Sequence, residues 1–250
     1  MTSSSAAQKT TGKVILLGAG PGAADLITVR GARLLSQADV VLYDALVTEE
    51  MLALCPQAEK IPVGKRSGQR STAQTVINQK LIECARKYKL VVRLKGGDPM
   101  MFGRADEELR ALEAEGIEVE VVPGITAALA AAASSKQPLT KRGIARSVAF
   151  FTSATAPGHP EHTTLPDCDT LIQYMGGKEA VITAQRLLAQ GRSPGLPVLV
   201  IENCSRANER ILRFELGELE KGLADCHGPV LVMFGEALAP RQALVREPIQ

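Results

Sequence analysis

Two glycine-rich stretches hold most of the residues whose type and spacing can do chemistry. The first, G-A-G-P-G-A at 18–23, fits G-x-G-x-x-G/A, follows an apolar run and precedes a stretch of helical spacing. Asp44 closes the next apolar run, roughly 20 residues on, where a ribose-reading acid would sit in a dinucleotide enzyme. Three readings of this loop stay open: a dinucleotide site, a site for another nucleotide-like ligand, and a turn kept for packing. Pro21 and Gly22 stand where the helix should begin, and Pro21 has no amide to offer. Apolar helical spacing resumes only near Asp25, a candidate N-cap. The loop therefore suits flanking a ligand better than cradling a diphosphate. The second stretch, R-L-K-G-G-D-P-M-M-F-G-R at 93–104, leaves a strand, turns through Gly96, Gly97, Asp98 and Pro99, and enters a helix after Phe102. Its paired glycines let main chain approach a ligand closely. Asp98 can accept hydroxyls, attract a cation, or cap its own turn.

These stretches must be positioned by the elements around them. Apolar runs at 13–17, 39–44, 90–94, 117–122, 148–151, 170–174, 197–201 and 229–234 read as strands. Helical spacing occupies 25–37, 71–87, 105–115 and 125–135, and Gly116 stands where a C-cap would end the third of these. Strand–helix alternation predicts an α/β protein with a mostly parallel sheet covered by helices. A domain change is expected near 123–127, giving a disordered tail over 1–12 and two α/β domains of similar size, 13–123 and 124–250.

Bulk properties narrow the function. Hydrophobic residues are 45% of the 250, enough for a substantial core. Aromatics are only 3%, which disfavours stacking on bases, and a net charge of +2 disfavours generic nucleic-acid binding. No apolar run reaches the ~18 residues of a membrane span, and the polar first dozen residues lack the apolar core of a signal peptide. Cys55, Cys84, Cys168, Cys204 and Cys226 are scattered without a C-x-x-C pair, predicting free thiols in a reducing compartment and no zinc site. The expectation is a cytoplasmic protein that binds neither nucleic acid nor membrane.

Read in order, GAGPG, VVLYDALV (40–47), GKRS (64–67), RLKGGDPMMFGR, VVPGIT (121–126), PLTKRG (138–143) and YMGG (174–177) resemble the successive motifs of the tetrapyrrole methylase family, in particular its monofunctional uroporphyrinogen-III C-methyltransferases. The match runs from residue 12 to about 235, and GKRS with RLKGGDPxxFGR is its specific part. The resemblance implies two α/β domains with the active-site cleft between them, a homodimer, and S-adenosylmethionine (SAM) as methyl donor without a metal. It also implies two C-methylations of uroporphyrinogen III, at C2 and C7, giving precorrin-2 through precorrin-1.

Carried over residue by residue, the resemblance puts SAM contacts on Pro21, Gly96, Gly97, Asp98, Met101, Thr126, Ala127, Met175 and Cys204. It puts proton acceptance and donation on Asp44 and Lys65. For Asp44 a capping role, and for Lys65 charge pairing with a substrate carboxylate, stay open as alternatives. The substrate carries eight carboxylates, so arginines in the matched motifs are candidates for binding it bidentately: Arg66, Arg104 and Arg142, with Glu107 one turn from Arg104 to orient it or to face a pyrrole N–H. A competing assignment makes Arg104 the proton-handling group. Three places depart from the family pattern: Cys204 replaces a glycine, Ser153-Ala154 replaces Gly-His, with His159 five residues beyond, and TKRG at 140–143 lacks the histidine of THR.

Overall fold

The computed structural model describes residues 11–64, 73–153, 164–177, 179–219, 221–223 and 226–240. The chain divides into two compact units, Met1–Ala127 and Ala128–Gln250.

The first unit runs β1 (Lys13–Gly18), α1 (Val29–Leu35), β2 (Val40–Tyr43), α2 (Glu49–Leu52), β3 (Glu59–Pro62), α3 (Gln74–Lys87), β4 (Leu90–Lys95), α4 (Ala105–Ala114) and β5 (Val119–Val122). Its sheet has the order β3-β2-β4-β1-β5, and every pairing is parallel. Alternate residues of β1 feed two cores. Val14 and Leu16 pack with Ile77 and Leu81 of α3 and Leu112 of α4. Ile15 and Leu17 pack with Leu35 of α1 and with Met51 and Leu52 of α2. Burial on both faces is why the inner strands read as unbroken apolar runs. Gly116 ends α4 as expected, at φ 65°, with Ile117 N donating back to Leu112 O at 3.0 Å.

One helix differs from the sequence expectation. Residues 24–26 form a short 3-10 turn, Ile27 is extended, and α1 starts only after Thr28. The N-cap is Thr28, whose hydroxyl accepts the Gly31 amide at 3.0 Å, and not Asp25.

The division falls at the start of α5 (Ala127–Ser134). The second unit continues with β6 (Val148–Thr152), β7 (Thr170–Tyr174), α6 (Ala180–Ala189), β8 (Pro197–Glu202), β9 (Arg210–Glu215), α7 (Leu216–Leu219) and β10 (Val230–Phe234). Its sheet order is β6-β7-β10-β8-β9. Ala184 and Leu187 of α6 and Leu216 and Leu219 of α7 cover Val198, Val200, Val232 and Phe234 on one face. Only β6 and β7 pair in parallel here, so the mostly parallel expectation describes the first sheet and not the second. The cause is connection length: the segment 203–209 between β8 and β9 is shorter than the roughly dozen residues a parallel crossover needs, so it closes an antiparallel hairpin. Among the described residues no helix is long and apolar enough to cross a membrane. All five cysteines are free thiols.

Candidate active site

Five parallel strands end on one edge of the first sheet, so the segments that follow them gather there. Three of these segments are fused through main chain. Gly20 N donates to Gly97 O at 3.1 Å, Gly97 N donates to Gly20 O at 2.7 Å, and Ala19 N donates to Lys95 O at 2.7 Å. A Cβ on Gly18 would lie 2.6 Å from Gly124 Cα, and one on Gly124 would lie 2.3 Å from Gly97 O. No side chain fits where these backbones cross. The same bonds answer the dinucleotide reading. The amides of Ala19 and Gly20 are committed to protein carbonyls, Pro21 has none, and no α-helix starts before Val29. The first half of the loop, residues 19–21, offers a pyrophosphate no free amide, and no α-helix N-terminus faces it.

Two carboxylates staple the same rim. Asp98 Oδ1 accepts the Met100 amide at 2.8 Å and Oδ2 accepts the Gly124 amide at 3.0 Å. Asp44 Oδ1 accepts the Leu46 amide at 2.9 Å and Oδ2 accepts the Gly96 amide at 3.0 Å. Asp98 thus caps its own turn and also reaches the segment after β5. Asp44 ties the segment after β2 to the one after β4. Both are half-buried. A carboxylate oxygen can accept two hydrogen bonds, so both groups keep acceptor capacity for a ligand hydroxyl or a proton.

Between Pro99 and α4 the chain makes a tight turn. Phe102 at φ 50° and Arg104 at φ 56° occupy the left-handed region that side chains other than glycine rarely adopt. Met101 N donates to Asp98 O at 3.2 Å. Arg104 grips Glu107 with two bonds, Nε to Oε1 at 2.7 Å and a terminal nitrogen to Oε2 at 2.8 Å. Each partner's hydrogen bond holds the other charged: Glu107 raises the Arg104 pKa, and Arg104 lowers that of Glu107. A proton held more firmly on the guanidinium suits carboxylate binding better than proton transfer.

The first unit therefore brings Pro21, Gly96, Gly97, Asp98, Met101 and Thr126 around the Gly20–Gly97 pair. Thr126 Cα lies 4.0 Å from where a Gly97 Cβ would stand, and Ala127 follows it. Asp44 and Arg104 sit on segments attached to that pair. Lys65, Arg66, Ala154 and His159 lie outside the described residues. In the second unit, Met175 closes β7 at φ 57° and is 54% exposed. Cys204 is buried, and its thiol is pushed up to about 12, first by burial and then by Glu209. The left-handed residues here are its neighbours, Asn203 at 54° and Ser205 at 60°, so cysteine at 204 brings no backbone strain. Arg142 is exposed in the turn bridged by Lys141 and Ala145. Ser153 Oγ accepts from Gln173 at 3.0 Å and lies 3.4 Å from Thr183 Oγ1, which ties it to the sheet and α6.

Sequence reasoning passed over one cluster beneath the turn. Arg93 and Lys95, two apart on β4, point the same way and share Glu108 of α4, at 3.0 and 2.9 Å. None of the three side chains is more than 5% exposed. Burial, then Arg93, lowers the Lys95 pKa, and Glu108 works against that fall. The signal was available: two cations at strand period inside an otherwise apolar β4 must find a buried anion.

Comparison with known proteins gives the chain's family. The family model for tetrapyrrole (corrin/porphyrin) methylases matches residues 13–220. Siroheme synthase of Tolumonas auensis is 46% identical over 232 residues, 91% of this chain and 50% of that protein. Siroheme synthase of Pseudomonas fluorescens strain Pf0-1 is 43% identical over 244 residues, 95% of this chain and 53% of that one. The chain thus spans about half the length of these relatives. A crystal structure of uroporphyrin-III C-methyl transferase from Thermus thermophilus in complex with S-adenyl homocysteine is 41% identical, with a TM-score of 0.80, covering 91% of this chain and 93% of that one. A cobalt precorrin-4 methyltransferase is 30% identical at a TM-score of 0.76, covering 91% and 96%. By the family model and by likeness along nearly all of its length, the chain belongs to the tetrapyrrole methylases.

Proposed function

We propose that the chain is a SAM-dependent C-methyltransferase that converts uroporphyrinogen III to precorrin-2 through precorrin-1, adding methyl groups at C2 and C7. The observation that carries this is near full-length likeness to a uroporphyrin-III C-methyl transferase that binds S-adenyl homocysteine. The rim of the first sheet fits such a donor. Its floor is bare main chain at Gly96 and Gly97, Asp98 and Asp44 retain acceptor capacity for hydroxyls, and Met101 offers an apolar, polarizable wall. The family resemblance assigns further donor contacts to Met175 and Cys204.

SAM supplies a methyl group already activated on a sulfonium. The residues then bind, orient and move a proton. Arg104, held by Glu107, Arg142 and Arg66 take substrate carboxylates, and Lys65 neutralises another. Asp44 accepts the proton that the macrocycle releases as its double bonds rearrange after methylation. Holding the pyrrole carbon in line with the methyl supplies much of the rate. The active species is a homodimer.

Anaerobic incubation with enzymically made uroporphyrinogen III and labelled SAM tests the reading. The expected product gains the mass of two methyl groups, and light scattering of the active protein reads two chains. Unchanged substrate would point to a binding protein without catalysis. The likeness to a cobalt precorrin-4 methyltransferase favours a second reading, a methyltransferase for a later precorrin, which turnover of such a precorrin alone would establish.

A further inference from the structure

We propose that Lys95 is a positioning residue for this reaction, fastening the chain on both sides of the Arg104–Glu107 pair so that the guanidinium meets substrate carboxylates in one place. The inference rests on the reading of Arg104 as a substrate-facing cation. Lys95 is the last residue of β4, and its side chain runs beneath the turn that β4 leads into. Nζ donates to Gly103 O at 2.5 Å, one residue before Arg104, and to Glu108 Oε2 at 2.9 Å, one residue after Glu107. The pair is bracketed by a single buried ammonium. Arg93 steadies the other oxygen of Glu108 at 3.0 Å, and Gln74 donates to that oxygen at 3.3 Å, so the carboxylate cannot swing away.

Glycine at 103 supports the same assignment. A Cβ there would lie 2.7 Å from Pro99 O and 3.1 Å from Lys95 Cε, so the turn closes on its own backbone with the lysine stem packed directly beside it. Phe102 and Arg104 flank it in left-handed conformations, which other residues hold only where surroundings enforce them. Lys95 enforces them from below, while the exposed guanidinium above stays available to ligand.

A double-mutant cycle on the full chain tests this, with Lys95→Met, Arg104→Ala and the pair. Lys95→Met is expected to lower kcat/KM for uroporphyrinogen III about 10- to 100-fold, the scale on which small misplacements act, with the Kd for S-adenosylhomocysteine unchanged. In the Arg104→Ala background Lys95→Met should cost nothing more, because it acts through that arginine. Equal fold losses in both backgrounds, or a Kd that rises in step, would reduce Lys95 to a structural residue. Loss of turnover in Lys95→Met with none in Arg104→Ala overturns both the inference and the role given to Arg104. Amide exchange over 100–108 is a readout independent of substrate identity. It should quicken in Lys95→Met; unchanged exchange sinks the inference even if the proposed activity stands, and quickened exchange keeps it even if wild type methylates a different tetrapyrrole. Should Lys95→Met fail to fold, Lys95→Gln, which keeps a polar head on a shorter stem, is expected to show the same pattern more weakly.

Discussion

Asp44 carries two demands at once. Its position at the end of an apolar strand invites a proton-accepting role, yet both of its oxygens already receive amides from Leu46 and Gly96. Asparagine can accept only one of those amides and turns an NH2 toward the other. Asp44→Asn is therefore expected to cost about 1–2 kcal/mol in urea unfolding, the scale of a half-buried donor left without a partner, and to weaken S-adenosylhomocysteine binding by loosening Gly96. Unaltered stability would show that the staple holds nothing. At this scale the sequence displayed the chemistry of Asp44, Asp98 and Arg104, and Glu107 as the partner of Arg104, but not the distant amides that the two aspartates accept. Asp98 and Gly124 are 26 residues apart, and nothing local announces that one donates to the other. For Lys95 the strand-period spacing with Arg93 was legible, but not the anion on α4 that the two share.

Elements were legible in proportion to their burial. β1 and β10 are apolar almost throughout and buried along nearly all of their length, so they stood out as runs. β3, with sequence EKIP, and β9, with RILRFE, lie at sheet edges with at least half of their residues in solvent, and their composition resembles loop. The short helix α2 has a single turn and no period to detect. The packing of strand-end segments against one another was invisible for the same reason as the Asp98 staple: it is a contact between backbones. It makes a sharp prediction. A methyl at position 124 would meet Gly97 O at 2.3 Å and Gly18 Cα at 2.8 Å, both unable to rotate aside. Gly124→Ala should lower the unfolding free energy by about 1–3 kcal/mol, as overpacking does, and weaken S-adenosylhomocysteine binding. Wild-type stability and affinity together would mean that the segments are not in register as described.

Two units with separate cores give the molecule two places to fail. In the second, Glu202 is 4% exposed and accepts the His227 and Gly228 amides at 2.6 and 2.7 Å, with Arg210 at 3.0 Å. The Gly228 amide first, then the His227 amide and Arg210, hold its pKa below the ordinary 4.5 against the opposing effect of burial. A depressed carboxylate stabilises the fold above its unfolded-state pKa, and that contribution disappears as pH falls through the folded-state value. Wild type should therefore lose urea resistance on acidification, and Glu202→Gln should be weaker near neutrality and converge with wild type in acid. Parallel curves at every pH would take Glu202 out of the account. The exchange of hydrogen bonds between Gly20 and Gly97 reaches further, into biosynthesis. β1 lies between β4 and β5, so the earliest-translated strand of this sheet waits for both neighbours before it is enclosed. Its glycines stay idle until Gly97 and then Gly124 have been translated. A nascent chain stalled short of them owns every residue of its first loop and no floor beneath it, and the closed rim arrives late, in one step.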